Sequence, residues 1–143
     1  MLRPDFTGIW KADLTRTKLL GPTPAEIGMR INHAEPALSA EMFMATADGG
    51  KHHIAFSGKT TGEPADNVIL GVPWRSQLAW TGSELLIESH VSQNGRELHF
   101  KDFWSLSADG EILTMVHRDD DLAGQITVLG KVRDAKQWAE HFG

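Results

Sequence analysis

Residues 74–106 read WRSQLAWTGSELLIESHVSQNGRELHFKDFWSL and contain two turns that decide the fold. Asn94-Gly95 suits a two-residue hairpin turn, because both central positions of a type I′ turn need a positive φ. Gly82-Ser83 predicts a second two-residue turn. Each turn joins two runs in which apolar and polar residues alternate. This stretch therefore predicts three consecutive antiparallel strands.

The two turns also predict which side chains face inward. Pairing outward from Asn94-Gly95 sets Ser89 opposite Phe100, and pairing from Gly82-Ser83 sets Ser76 opposite Ser89. Both registers collect the apolar side chains on one face, and a slip of one residue would turn all of them outward. We expect the inner face of these strands to carry Trp74, Ser76, Leu78, Trp80, Leu85, Ile87, Ser89, Val91, Leu98, Phe100, Asp102, Trp104 and Leu106.

A third turn, Ala108-Asp109-Gly110, is predicted as a three-residue loop with Gly110 in the left-handed region. This loop length brings the next strand inward at Ile112, Thr114, Val116 and Arg118. Asp102 and Arg118 then become diagonal neighbours on adjacent strands. An unpaired charge in an apolar interior is costly, so the two are expected to interact. The pair is either a structural ion pair or a site in which Arg118 anchors a ligand carboxylate that Asp102 orients.

Turn signals recur along the whole chain, and the connections between them are too short for parallel crossovers, which need about a dozen or more residues. The sequence thus predicts an all-β fold: one domain over residues 1–143, a single antiparallel up-and-down β-barrel of about 8–10 strands, since closure removes exposed edges. A short helix is possible over residues 134–143. The predicted strands are Gly8–Leu14, Glu26–His33, Ala37–Thr46, His53–Thr60, Asn67–Val72, Trp74–Trp80, Glu84–Ser92, Arg96–Leu106, Ile112–Arg118 and Gln125–Val132.

On the first four strands, alternation points a further set of side chains inward. Between the first two strands, residues 15–24 carry two prolines and a glycine, which predicts a loop that folds over the barrel mouth as a lid or packs on the outer wall. The inward sets are Gly8/Trp10/Ala12, Ile27/Met29/Ile31/His33, Leu38/Ala40/Met42/Met44 and Ile54/Phe56/Gly58.

Composition excludes several classes of function. The net charge is −5, and the 14 Lys and Arg residues are scattered, which argues against a nucleic-acid partner. There is no cysteine, so neither a disulfide nor a thiolate metal site can form. No run of 18 apolar residues predicts a membrane span. The N-terminus as given lacks a signal peptide, so we expect a cytoplasmic protein, or a periplasmic or secreted one if a signal was trimmed.

Seven histidines raise the question of a metal or haem site. His90 and His99 are predicted cross-strand partners on the outer face, where His117 is their neighbour. A catalytic zinc site needs three protein ligands, but isolated surface histidines are the commoner arrangement. Only His33 is predicted to face inward. We expect no metal and no cofactor.

Four apolar side chains are predicted on the outside of neighbouring strands: Leu86, Phe103, Leu113 and Met115. A contiguous apolar patch on a protein surface indicates a partner or a cover. Either a homodimer through the barrel wall or the C-terminal segment with Trp138 and Phe142 would explain it.

The opening stretch Phe6-Thr7-Gly8-Ile9-Trp10 resembles the G-x-W signature of the first lipocalin strand. Residues 104–114, WSLSADGEILT, are similar to a stretch in bacterial lipocalin-like proteins, and the resemblance spans residues 5–132. It implies a calycin-type barrel with a ligand cavity, and Gly8 and Trp10 as a packing pair that closes the barrel. The disulfide and the T-D-Y segment of vertebrate lipocalins are absent from this sequence.

The inner face suggests a function. It is apolar with a few polar side chains, which favours binding of a small hydrophobic or amphipathic molecule. The predicted ligand-binding residues are Trp74, Ser76, Trp80, Ser89, Phe100, Asp102, Trp104 and Arg118. No catalytic motif is present. Two alternatives stay open: an isomerase- or hydratase-like enzyme that uses Asp102 and Arg118, and a barrel with a filled core that serves as an interaction protein.

Overall fold

The computed structural model describes residues 4–19, 22–119 and 124–133, and within these ranges the chain forms ten antiparallel β-strands. The predicted all-β, up-and-down architecture is confirmed, whereas the predicted C-terminal helix lies outside the described residues. The strands are β1 (Gly8–Ala12), β2 (Glu26–Ala34), β3 (Ala37–Ala45), β4 (Lys51–Lys59), β5 (Ala65–Ile69), β6 (Val72–Thr81), β7 (Glu84–Gln93), β8 (Arg96–Leu106), β9 (Ile112–Asp119) and β10 (Gln125–Val132).

The strands follow one another around a barrel in the order β4-β3-β2-β1-β10-β9-β8-β7-β6-β5. Pairing of β1 with β10 joins the two halves of the meander. In the described part of the chain, no helix has the length and apolar character needed to cross a lipid bilayer.

The barrel has a gap between β4 and β5, where no backbone ladder forms. The side-chain amide of Asn67 bridges this gap: its Oδ1 accepts from the Ser57 N–H and its Nδ2 donates to the Ser57 carbonyl, both at 3.0 Å. Beyond this bridge the gap narrows, because a Cβ at Gly58 would lie only 2.8 Å from Leu78 Cδ1. We call this narrow end the closed end and the opposite end the open end.

The core fills the closed end. Trp10 is fully buried, and its indole Nε1 donates to the Phe6 carbonyl at 3.0 Å. Gly8 lies close to the same indole, since a Cβ there would be 3.4 Å from Trp10 Nε1. The predicted inward positions Met29, Ile31 and Leu38 are also buried. Their burial confirms the alternation predicted for β2 and β3.

The two hairpin registers predicted around β7 are confirmed. Ser76 pairs with Ser89 across β6 and β7, and Ser89 pairs with Phe100 across β7 and β8. Asn94 and Gly95 have φ values of 54° and 74°, as a type I′ turn requires.

The predicted register between β8 and β9 is wrong by one residue, because Leu106 pairs with Leu113 instead of Ile112. The loop covers residues 108–111, one residue more than expected. The residues that flank it are joined by a hydrogen bond in which the Ser107 N–H donates to the Ile112 carbonyl at 2.9 Å. Asp109 Oδ1 accepts from Ser107 Oγ at 2.6 Å and from the Glu111 N–H at 3.0 Å. These side-chain hydrogen bonds stabilise the longer loop.

This shift inverts the faces of β9. Leu113, Met115 and His117 face inward, whereas the side chains predicted there lie on the outer face: Ile112, Thr114, Val116 and Arg118. Arg118 pairs with Lys101 and is exposed. The predicted Asp102–Arg118 pair is therefore wrong.

The outer apolar cluster changes with the same shift. Leu113 and Met115 leave it, and Val116 joins it opposite Phe103. Leu86 pairs with Phe103 on the other side, so an apolar stripe remains on the outer wall. The homodimer through this wall stays a prediction, and Trp138 and Phe142 lie outside the described residues.

A hairpin turn between β5 and β6 escaped prediction. The expected strand Asn67–Val72 is interrupted at Leu70-Gly71, where φ is 50° and 80°, and Ile69 pairs with Val72 across the turn. A leucine rarely occupies the left-handed region, so the residue types at this turn do not predict it.

Candidate functional site

A cavity of about 390 Å³ lies inside the barrel between the core and the open end. Larger depressions, such as one of about 700 Å³ beside Arg30 and Ser39, lie on the outer surface of the sheet. The internal cavity has mainly apolar walls, formed by Met29, Met42, Phe56, Ile87, Trp104 and Met115 among others. The inward-facing side chains of several strands therefore form both the core and the walls of a cavity.

Five of the predicted site residues line this cavity: Trp74, Ser76, Ser89, Asp102 and Trp104. Phe100 lies next to the lining, with its ring stacked on Trp74 at 5.2 Å and tilted against His117 at 5.2 Å. Trp80 and Arg118 lie elsewhere, Trp80 at the closed end and Arg118 on the outer face.

Trp80 belongs to a polar network that seals the closed end. Its indole Nε1 donates to Glu35 Oε1 at 3.0 Å, and Thr60 Oγ1 donates to Glu35 Oε2 at 2.7 Å. His33 Nδ1 accepts from the Phe6 N–H at 3.2 Å, so its Nε2 carries the proton donated to Glu35 at 2.8 Å. Partial burial raises the pKa of Glu35, but the three donors outweigh it and the pKa lies below its ordinary value. The network positions Phe6, whose ring stacks on those of His33 and Trp80 and belongs to the core at this end.

The cavity wall contains one charged pair, Asp102 with His117. Asp102 Oδ1 and His117 Nδ1 lie 2.7 Å apart on adjacent strands, and the two side chains are 24% and 30% exposed. The hydrogen bond to Asp102 raises the pKa of His117, partial burial opposes it, and the charges of Asp102 and Asp119 add to the increase. Because Nδ1 is bonded to Asp102 and no other described residue contacts Nε2 through a hydrogen bond, Nε2 can bind a ligand.

Ser76 and Ser89 form the second polar group on the wall. Their hydroxyl oxygens lie 2.8 Å apart, and both residues are buried. The predicted placement of Ser76 opposite Ser89 thus brings the two hydroxyls into hydrogen-bond contact. Since the pair shares one of its two hydroxyl protons, the other is available to a ligand acceptor.

The open end carries exposed apolar side chains. Val68 and Leu70 in the β5–β6 hairpin are 67% and 62% exposed, and Leu70 lines the cavity. Leu19, from the loop predicted as a lid, also lines the cavity. Its neighbour Lys18 makes two backbone hydrogen bonds with Ile126: the Lys18 N–H donates to the Ile126 carbonyl at 2.7 Å, and the Ile126 N–H donates to the Lys18 carbonyl at 2.8 Å. This described part of the loop therefore lies across the barrel rim beside β10.

The three histidines considered for a metal site do not come together, because His117 faces the cavity while His90 and His99 lie on the outer face. The His90 and His99 rings stack 4.6 Å apart. In residues 4–19, 22–119 and 124–133, no group of three or more His, Asp or Glu side chains is arranged to hold a metal ion.

Sequence reasoning missed His117 and Met115 as site residues, because both depend on the β8–β9 register. The signal that locates them is Ser107-x-Asp109 at the start of the loop. Ser and Asp side chains that bond nearby backbone groups favour a longer turn than Gly110 alone indicates.

No protein-family model matches the chain, and no curated protein sequence is significantly similar to it. Solved structures with the same fold include secretory abundant heat soluble protein 4 from Ramazzottius varieornatus, with a TM-score of 0.66 and 11% identity over 93% of this chain and 100% of that chain.

Two further similar structures have names that mention fatty acids. The REP1-NXSQ fatty acid transporter has a TM-score of 0.66 and 10% identity over 91% of this chain and 98% of that chain. Fatty-acid-binding protein 1 of Echinococcus granulosus has a TM-score of 0.57 and 13% identity over 89% of this chain and 97% of that chain. These likenesses establish the fold, and they confirm the calycin-type barrel implied by the lipocalin resemblance.

Proposed function

We propose that this chain acts as one barrel domain that binds a small apolar or amphipathic molecule inside the barrel. The observation that carries the proposal is the internal cavity of about 390 Å³ with one polar wall. Small-molecule sites start at about 300 Å³ and combine apolar walls with few polar groups. A barrel with a filled core would lack such a space. The names of two structural neighbours, a fatty acid transporter and a fatty-acid-binding protein, support the same function.

The cavity volume limits the size of the ligand. At about 30 Å³ for each water-sized group, 390 Å³ corresponds to about 13 non-hydrogen atoms. A ten-carbon chain with a small head group has this size. The exposed Leu70 and the rim residue Leu19 mark the end through which such a molecule enters.

A cavity-filling variant tests the proposal. We expect decanol to bind the wild-type protein in a calorimetric titration and Ile87→Phe to lower the affinity at least tenfold, because the larger ring occupies the cavity. Leu86→Phe is the matched control, since the neighbouring side chain lies on the outer face of the same strand. Equal binding by both variants would contradict the proposal.

An acid–base enzyme is the second candidate, and the Asp102–His117 hydrogen bond favours it. The Asp102–Arg118 version of this idea fails because the two side chains lie on opposite faces of the sheet, whereas His117 lines the cavity and its Nε2 has no hydrogen-bond partner among the described residues. A proton-transfer enzyme would exchange hydrogens next to the carbonyl of methyl octyl ketone in heavy water. His117→Gln would abolish the exchange. No exchange above the buffer rate in the wild type would exclude this activity.

A further inference from the structure

We infer that the cavity selects an uncharged ligand whose head group both donates and accepts hydrogen bonds, in preference to a fatty acid anion. The inference rests on the proposed binding function and names its ligand class. The two structural neighbours named for fatty acids would suggest a carboxylate instead. The chemistry of this chain's own cavity wall argues for a different head group.

The charges on the wall cancel. Asp102 and His117 are the charged side chains among the described residues that line the cavity, and they are bonded to each other at 2.7 Å. A bound carboxylate would meet the positive imidazole and the negative carboxylate of Asp102 together. When His117 is neutral, only the negative charge remains. In neither state does the wall carry a net positive charge to offset the cost of removing an anion from water.

The wall does offer hydrogen bonds to a neutral head group. Asp102 Oδ2 has no partner among the described residues, so it can accept from an amide N–H or an alcohol O–H. Among these residues, His117 Nε2 and one proton of the Ser76–Ser89 pair also have no partner. A primary amide or an alcohol can satisfy groups of both kinds. A carboxylate has only acceptors, so it leaves Asp102 Oδ2 unpaired and close to another negative oxygen.

The opposite wall accommodates the apolar chain. Met29 and Met42 on β2 and β3 and Phe56 on β4 lie across the barrel from β8 and β9. Methionine side chains adapt to irregular chains because they are unbranched and flexible. The head group is thus recognised by β8 and β9 and by the serine pair, and the chain packs against the methionines.

The test compares four ligands with the same chain length: decanamide, decanol, decanoate and decylamine. Calorimetric titrations are made at pH 6, where binding of an anion is most favoured because the Asp102 hydrogen bond keeps His117 protonated. We expect decanamide to bind at least tenfold more tightly than decanoate or decylamine. Tighter or equal binding of decanoate or decylamine would overturn the inference while leaving the proposed function intact. If none of the four binds, the proposed function itself fails.

Charge variants identify the cause of the selectivity. Asp102→Asn keeps the shape and removes the negative charge, so the preference for decanamide over decanoate should fall several-fold. His117→Gln removes the positive charge and should increase that preference. Asp66→Asn is the control, because Asp66 is exposed and pairs with Arg75 on the outer face. An unchanged ratio in both cavity variants would overturn the assignment of selectivity to this pair.

Discussion

The Asp102–His117 hydrogen bond is the single contact that most changes the chemistry of the cavity wall. It fixes the direction of the imidazole ring and raises the pKa of His117. We expect an NMR titration of the imidazole protons to give a pKa above the ordinary value of about 6.5. Asp102→Asn should bring the pKa back to that value or below it, because burial then acts without the carboxylate. A wild-type pKa at or below the ordinary value would contradict the geometry.

The same contact gives stability a definite pH dependence. Because the folded-state pKa of His117 is raised, its charge stabilises the fold fully below the unfolded pKa, and this contribution is lost as the pH rises through the folded pKa. At pH 5.5 we expect Asp102→Asn to lower the free energy of unfolding by about 1.5 kcal/mol. Above pH 8 the difference should be smaller, since only a neutral hydrogen bond remains. Urea denaturation at both pH values measures it, and a difference that grows with pH would refute the assignment.

The Ser76–Ser89 pair is expected to be strongly non-additive. Ser89→Ala leaves one buried hydroxyl without its partner and should cost about 1 kcal/mol of unfolding free energy. Removing the second hydroxyl as well should cost little more, because no unsatisfied group remains. A double-mutant cycle by urea denaturation measures this coupling. Strictly additive effects would show that the serines do not depend on each other.

Between β4 and β5, one side chain takes the place of a backbone hydrogen-bond ladder. Asn67 gives the Ser57 N–H an acceptor and the Ser57 carbonyl a donor. In Asn67→Ala, amide hydrogen exchange at Ser57 should become at least tenfold faster. Asn67→Asp is the matched control, since it keeps the acceptor for Ser57 N–H and should retain most of the protection. Equal exchange rates in the wild type and Asn67→Ala would show that the bridge does not hold the gap.

The strands differ in how far the sequence could predict them. Around β7, two short turns with obligatory positive φ fixed the pairing, and every predicted partner of Ser89 was found. Around β9, Gly110 was correctly read as a turn residue, but the loop length depended on hydrogen bonds made by Ser107 and Asp109. Periodicity alone could not correct the error, because Ile112 and Val116 are as apolar as Leu113 and Met115.

The one-residue difference in the β8–β9 register decides which site residues could be predicted from the sequence. Trp74, Ser76, Ser89, Asp102 and Trp104 line the cavity as the sequence indicated, because they lie on β6 to β8. His117 replaced Arg118 as the partner of Asp102, so the carboxylate-binding role considered for Arg118 gives way to a pair whose two charges cancel. A ligand cavity was expected from the lipocalin resemblance, but its volume and shape were not predictable, since they depend on how the side chains of several strands meet.

In the whole molecule, the two ends of the barrel have different roles. The closed end is sealed by Phe6, Trp80 and the Glu35 network. The open end presents Leu19, Leu70 and the Asp102–His117 pair to the cavity. A ligand that enters there has its apolar chain directed toward the methionine-lined wall and its head group toward β8 and β9.

Methionine methyl NMR tests this arrangement most directly. The chain has five methionines, of which Met29, Met42 and Met115 line the cavity, whereas Met44 lies on β3 outside its lining. With ¹³C-labelled methionine methyl groups and bound decanol, we predict nuclear Overhauser effects from the alkyl chain to Met29, Met42 and Met115. Met44 serves as the internal reference. Binding without contacts to these three methyl groups, or contacts confined to Met44, would contradict a ligand site in this cavity.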